Sequence, residues 1–194
     1  MSSWVSWKGL DMTLHRFADL VAVPWRNGQG VTRDVVTRLD PGGAMLWQVS
    51  IAELVWDGEF SDYAGFDRVF TPVLGDGIAL SHDGGPFLPC PVLVPQSFAG
   101  ERRTLYRVGG GPGCAFNVIM ARGRHQATVA VLRVGAGAAL TGDVLHCWSG
   151  GFVADGLATG PGDSLVGAGA TASVASVVIQ VRLAAAPALQ GGRR

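Results

Sequence analysis

Residues 46–52, Leu-Trp-Gln-Val-Ser-Ile-Ala, alternate in character: Trp47, Val49 and Ile51 fall on one side of an extended chain, Gln48, Ser50 and Ala52 on the other. That period of two predicts a β-strand with one face in a core. Short apolar or alternating runs at 66–74, 78–81, 104–108, 115–120, 127–134, 144–148 and 174–183 predict further strands, separated by clusters of Gly, Asp and Pro. Helix signals are few. The run 14–21, Leu-His-Arg-Phe-Ala-Asp-Leu-Val, suits a turn or two of helix that ends before Pro24. The chain therefore reads as all-β.

Two segments echo each other. Residues 73–80 and 131–140 share Val-Leu followed by Gly-x-Gly-x-x-Leu, which sets Gly75/Gly77 and Gly135/Gly137 60 residues apart. Each copy reads as strand, tight turn, strand, because Gly supplies the positive φ that such turns need. The echo predicts two similar barrel-like units with these turns at corresponding positions; chance recurrence in a Gly-rich chain is the alternative. Gly-Pro-Gly-Asp-Ser-Leu-Val-Gly at 160–167 adds a turn-and-strand signal of the kind that opens a jelly-roll strand. The expected organisation is an N-terminal lobe over 1–110, a C-terminal lobe over 111–185 that exchanges segments with it, and a disordered tail over 186–194.

Composition narrows the function classes. Gly makes up 29 of 194 residues with no Gly-X-Y period, which fits many tight turns and excludes collagen. The formal net charge is zero, so neither nucleic acid nor an anionic membrane is indicated as a partner. No apolar run approaches the ~18 residues that span a bilayer, and the N-terminus shows no signal-peptide core. The three cysteines, Cys90, Cys114 and Cys147, have no C-x-x-C spacing and read as free thiols in a reducing compartment. A cytoplasmic protein is expected.

Candidate chemistry centres on Pro24-Trp-Arg-Asn-Gly-Gln-Gly-Val-Thr-Arg-Asp-Val35. It is no phosphate loop: it lacks Gly-Lys-Ser/Thr, and β-branched residues follow Gly30 where a dinucleotide loop needs a helix. As pattern alone it is a turn opening a strand. The histidines His15, His82, His125 and His146 form no H-x-H or H-x-x-x-H cluster, so no metal or other cofactor is expected. No nucleophile motif is present, and no catalytic residue is assigned. In Gly65-Phe-Asp-Arg-Val-Phe70, Asp67 and Arg68 leave a strand on opposite faces, so one points inward as a site residue or as half of a structural ion pair.

Together, 24–35, the run Trp47–Leu80 and Phe116-Asn-Val-Ile-Met-Ala-Arg-Gly-Arg124 resemble the HutD/Ves family, which accompanies bacterial histidine-utilisation genes. The resemblance covers roughly residues 12–125. It implies a bicupin, two jelly-roll-like barrels packed together without the metal-binding histidines of enzymatic cupins. It also implies a role in tuning or restraining histidine catabolism through a small carboxylate such as urocanate or a formylated glutamate. The sequence departs from the family pattern at Gln48, where Arg is usual, at Ala115, where an acidic residue is usual, and at Glu59, where Pro is usual.

The resemblance places the ligand-binding set at Trp25, Asn27, Gly28, Thr32 and Arg33 of the first motif. Gln48, Ser50, Phe60 and Ser61 join from the second, and Asn117 from the third. Trp25 and Phe60 offer apolar faces, Arg33 pairs with a carboxylate, and the amides and hydroxyls fix its orientation. Strict alternation, however, puts Arg33 on the face of Val31 and Val35, as a buried structural residue, and turns Thr32 and Asp34 to the pocket. Gly30, Asp67, Arg68, Gly75 and Gly77 are expected as structural residues. Other readings are a metal-independent isomerase or amidohydrolase, or a stress-related protein with a vestigial pocket; a homodimer is left open.

Overall fold

The computed structural model describes residues 11–25, 30–167 and 169–186. The chain opens with β1 (Thr13–His15), a single 3-10 turn at Phe17–Asp19 and β2 (Ala22–Pro24), then runs through β3 (Gly30–Leu39), β4 (Met45–Leu54) and β5 (Gly58–Glu59). There follow β6 (Phe66–Leu74), β7 (Ile78–His82), β8 (Leu88–Pro89), β9 (Gln96–Ala99), β10 (Thr104–Val108) and β11 (Gly113–Ala121). The second half contains β12 (His125–Val134), β13 (Ala139–Thr141), β14 (Val144–Ser149), β15 (Phe152–Ala154) and β16 (Leu157–Ala158), then β17 (Ser164–Val166), β18 (Gly169–Ala172) and β19 (Ser176–Ala185). The helical expectation over 14–21 resolves into strand plus one 3-10 turn: Leu14, Phe17, Ala18 and Val21 do fall at helical spacing, but pairing of Thr13–His15 with β17 (Ser164–Val166) holds the start of the run extended.

Each half carries a large and a small antiparallel sheet. In the N-terminal half the large sheet runs β2-β3-β4-β11-β6-β9 and the small one β5-β10-β7-β8. In the C-terminal half they run β1-β17-β14-β19-β12 and β13-β18-β15-β16. Laid side by side, β4-β11-β6-β9 corresponds to β12-β19-β14-β17, and β5-β10-β7-β8 to β13-β18-β15-β16. Both halves are thus jelly rolls of one topology. The N-terminal unit extends through β11 to Ala121, beyond the boundary expected at 110, and β1 joins the sheet of the other lobe.

This correspondence corrects the reading of the Gly-x-Gly echo. Gly75 and Gly77, at φ +106° and +81°, turn the chain from β6 into β7, whereas Gly135 and Gly137 join β12 to β13. The place equivalent to the first turn is the β14–β15 connection at Gly150. The repeat of residues is coincidental; the repeat of topology is real.

Three apolar layers hold the molecule together. Trp47, Val49 and Ile51 from β4 meet Val144, Ile179 and Val181 of the other lobe, so the two large sheets pack face to face. Trp148 ties this layer across by donating its indole N–H to the Val73 carbonyl at 2.7 Å. A second cluster, including Phe70, Leu80 and Tyr106, fills part of the N-terminal roll, and a third, including Leu145, Phe152 and Leu165, fills the C-terminal one. His146 lies in the layer between the lobes, its Nδ1 2.9 Å from Ser164 Oγ and its ring against Phe116.

Candidate functional site

The alternation in β4 does two tasks at once. Its odd-numbered residues 47, 49 and 51 enter the inter-lobe core, and Gln48, Ser50 and Ala52 therefore face the interior of the N-terminal roll. The register extends this face across four strands: Thr32 of β3 stands opposite Ala52, Ser50 opposite Asn117 of β11, and Gln48 opposite Ile119, which stands opposite Arg68 of β6. The segment after β5 folds over them with Phe60, Ser61 and Tyr63, and Trp25 closes the end beyond β2. Together these residues enclose a cavity of about 100 Å³. That is well above the ~10–15 Å³ of such space that a single water needs.

Aromatic rings shape the walls. Phe60 stacks on Tyr106 with ring centroids 4.8 Å apart, and Trp25 meets the same ring edge-on at 6.1 Å. Trp25 is fixed further by donating its Nε1–H to Thr32 Oγ1 at 2.6 Å. Gly30 permits this closeness: a Cβ there would stand 2.5 Å from the Glu53 carbonyl oxygen and 3.1 Å from the Trp25 ring.

Arg68 is the cation of the cavity. Its residue is only 6% exposed, its Cζ lies 4.7 Å from the Phe60 ring centre and 5.2 Å from that of Tyr63, and its Nε has no hydrogen-bond partner among the described residues. Among the described residues it makes no ion pair. Burial pushes its pKa down to about 10, with the Tyr63 phenol opposing, so it remains charged at neutral pH. A buried guanidinium held by ring faces and short of a hydrogen-bond acceptor has the chemistry to pair with an anion. The neutral groups around it are the amides of Gln48 and Asn117 and the hydroxyls of Thr32, Ser50, Ser61 and Tyr63. Gln48 donates to Thr37 Oγ1 at 3.2 Å, and burial pushes up the carboxyl of nearby Asp34, with the Gln48 amide opposing.

The structure thus gathers Trp25, Thr32, Gln48, Ser50, Phe60, Ser61 and Asn117 around one cavity. Asn27 and Gly28 lie outside the described residues. Arg33 is elsewhere: it points to the opposite face of β3, pairs with Glu53 and lies 5.1 Å from the Phe17 ring centre. Alternation along β3 requires this, since Thr32 faces the cavity. Asp67 pairs with Arg122 at the surface at 2.8 Å. Arg68, expected as structural, takes the place given to Arg33, and Tyr63, Ala52 and Ile119 complete the lining unforeseen. No three His, Cys, Asp or Glu side chains come together as a metal site among the described residues.

Residues 17–178 match the family model described as HutD. The chain belongs to the HutD family. An uncharacterised 21.2 kDa protein from the hutC 3' region of Pseudomonas putida is 37% identical over 120 residues, 60% of this chain and 62% of that one. Protein Ves of Cronobacter sakazakii is 33% identical over 119 residues, 59% of this chain and 65% of the relative. The matches span less than two thirds of either relative.

Among solved structures, HutD from Pseudomonas fluorescens SBW25 superposes with a TM-score of 0.77 at 24% identity, over 90% of this chain and 100% of that one. A cupin 2 conserved barrel domain protein from Leptotrichia buccalis gives 0.59 at 11% identity, over 91% and 98%. These likenesses agree with the cupin-type jelly rolls of this HutD-family chain. No helix among the described residues is long and apolar enough to cross a membrane.

Proposed function

We propose that this HutD-family protein binds a small carboxylate in the N-terminal roll and thereby tunes or restrains histidine catabolism, with urocanate or formylglutamate as the ligand type. The observation that carries this reading is Arg68: a buried guanidinium with a free Nε, facing a cavity lined by amides and hydroxyls. A carboxylate supplies the acceptor that Nε lacks and forms a charge-assisted bond of ~1.5–3 kcal/mol. Phe60 and Trp25 offer faces to a planar ligand, and Ser50, Gln48 and Asn117 set its orientation. The described lining residues include no carboxylate, imidazole or thiol, and the reading accordingly assigns the cavity to recognition.

The test is calorimetric titration and thermal shift with urocanate and with formylglutamate, on wild type, Arg68→Met and Arg33→Met. Wild type is expected to bind one of them, and a ligand at a hundred times its Kd adds ~2.7 kcal/mol of stability. Arg68→Met is expected to lose that binding and Arg33→Met to keep it. Failure of wild type to bind either compound removes the ligand assignment. Loss of binding in Arg33→Met alone returns the carboxylate role to Arg33.

A further inference from the structure

One side of the molecule is closed by extra strands, and on the opposite side both large sheets end without them among the described residues. β3 continues the N-terminal large sheet beyond β4, and β1 continues the C-terminal one beyond β17. These additions lie together, with Arg33 of β3 over Phe17, just after β1. At the far ends of the same sheets, β9 and β12 have no outer neighbour among the described residues. These two edges also lie together, flanking a groove lined by Ser97, Phe98, Ala99, Gln126 and Ala127.

The correspondence between lobes singles out β12. It takes the place of β4, yet β4 carries the ten-residue β3 along its outer edge and β12 ends its sheet. β12 is ten residues long, about 34 Å at the antiparallel rise, and pairs β19 without a bulge. Edges that stay free are usually short, bulged, or guarded by Lys or Pro. β12 has none of these, its one formal charge is Arg133, and Val129, Ala130, Val131 and Leu132 are only half-buried.

We propose that the β12 edge is the contact of a two-fold dimer, in which β12 of a second copy runs antiparallel along it. A strand meeting its own image about a two-fold axis matches free N–H groups to free C=O groups automatically, since the two edges are identical. Charge agrees. With the axis near Ala130, Arg133 falls opposite the partner's Ala127 and Thr128 opposite the partner's Leu132, so no like charges meet. Nor does the edge carry an acidic or basic run that calls for a partner of opposite sign.

The experiment pairs sedimentation velocity over a concentration series with hydrogen–deuterium exchange of the full chain at the same concentrations. A concentration-dependent dimer is expected, and the β12 amides that point away from β19 gain protection in step with it. Thr128→Lys, at an exposed position, is expected to raise the dimer dissociation constant about tenfold with unchanged circular dichroism and, at concentrations where both proteins are monomeric, unchanged Tm. Should that variant fail to fold, exchange on wild type decides alone. A monomer at every concentration overturns the proposal, as does a dimer whose outer β12 amides exchange freely or one that Thr128→Lys leaves intact. Protection of those amides in a monomer overturns it too, and loss of that protection on deleting 187–194 then identifies the chain's own C-terminal segment as the cover.

Discussion

Arg68 and Arg33 show what one residue of offset decides. Both are arginines on strands of one sheet, and the motif around Arg33 is the more distinctive of the two. On β3 the cavity face belongs to Thr32, which sends Arg33 to Glu53; on β6 it belongs to Arg68 and Phe70, while Val69 and Val73 enter the inter-lobe core. The side of Arg68 was legible, since Phe66, Arg68 and Phe70 share one side of a period-two strand, but the rings that hold the guanidinium, Phe60, Tyr63 and Phe98, come from other segments. Tyr63 was not legible, because it lies on a connection with no periodicity to place it. A buried, unpaired charge also carries a stability cost that a hydrophobic replacement relieves. Arg68→Met is therefore expected to raise the ligand-free unfolding free energy by about 1 kcal/mol while abolishing carboxylate binding. Urea unfolding measures this, and a loss of about 2 kcal/mol would show that the ring contacts outweigh desolvation.

At the scale of elements, alternation was a faithful guide and glycine a poor one. Trp47 to Ala52 read correctly as one strand with a core face and a pocket face, and that single reading located both the inter-lobe layer and the cavity floor. The Gly-x-Gly echo failed because a glycine reports the local need for positive φ, which every tight turn shares, and not which strands the turn connects. A glycine is informative where something else touches it. Gly30 is such a case, at the start of β3 between the Glu53 carbonyl and the Trp25 ring. Gly30→Ala would drive a methyl group into a backbone oxygen that cannot swing aside, and a destabilisation of about 1–3 kcal/mol is expected. The same change should displace Trp25 from Thr32, so indole fluorescence should shift along with the denaturation midpoint; a silent substitution would show that β3 starts elsewhere.

The whole molecule rests on two jelly rolls joined through their large sheets, and His146 sits in that joint. Its residue is 3% exposed, and burial pushes its pKa down to about 4, with nearby Asp163 opposing. Asp163 is itself pushed up by burial but held low overall by the N–H groups of Gly160 and Phe17 and by Arg16, so it stays ionised as His146 titrates. A histidine whose folded pKa lies below its unfolded value of about 6.5 refuses a proton that the unfolded chain accepts. Stability therefore falls as pH drops from about 6.5 toward about 4 and stops falling on this account below that, with a slope approaching 1.4 kcal/mol per pH unit. Between about pH 7 and pH 5 the loss from this one group is about 2 kcal/mol. His15, His82 and His125 are also lowered by burial and act in the same direction, so the wild-type curve alone does not isolate the joint. His146→Gln does: an amide keeps a hydrogen-bonding group for Ser164 and removes the titration. The difference between wild-type and variant unfolding free energies should shift by about 2 kcal/mol in the variant's favour between those pH values. A constant difference across that range would mean that acid reaches His146 without parting the two sheets.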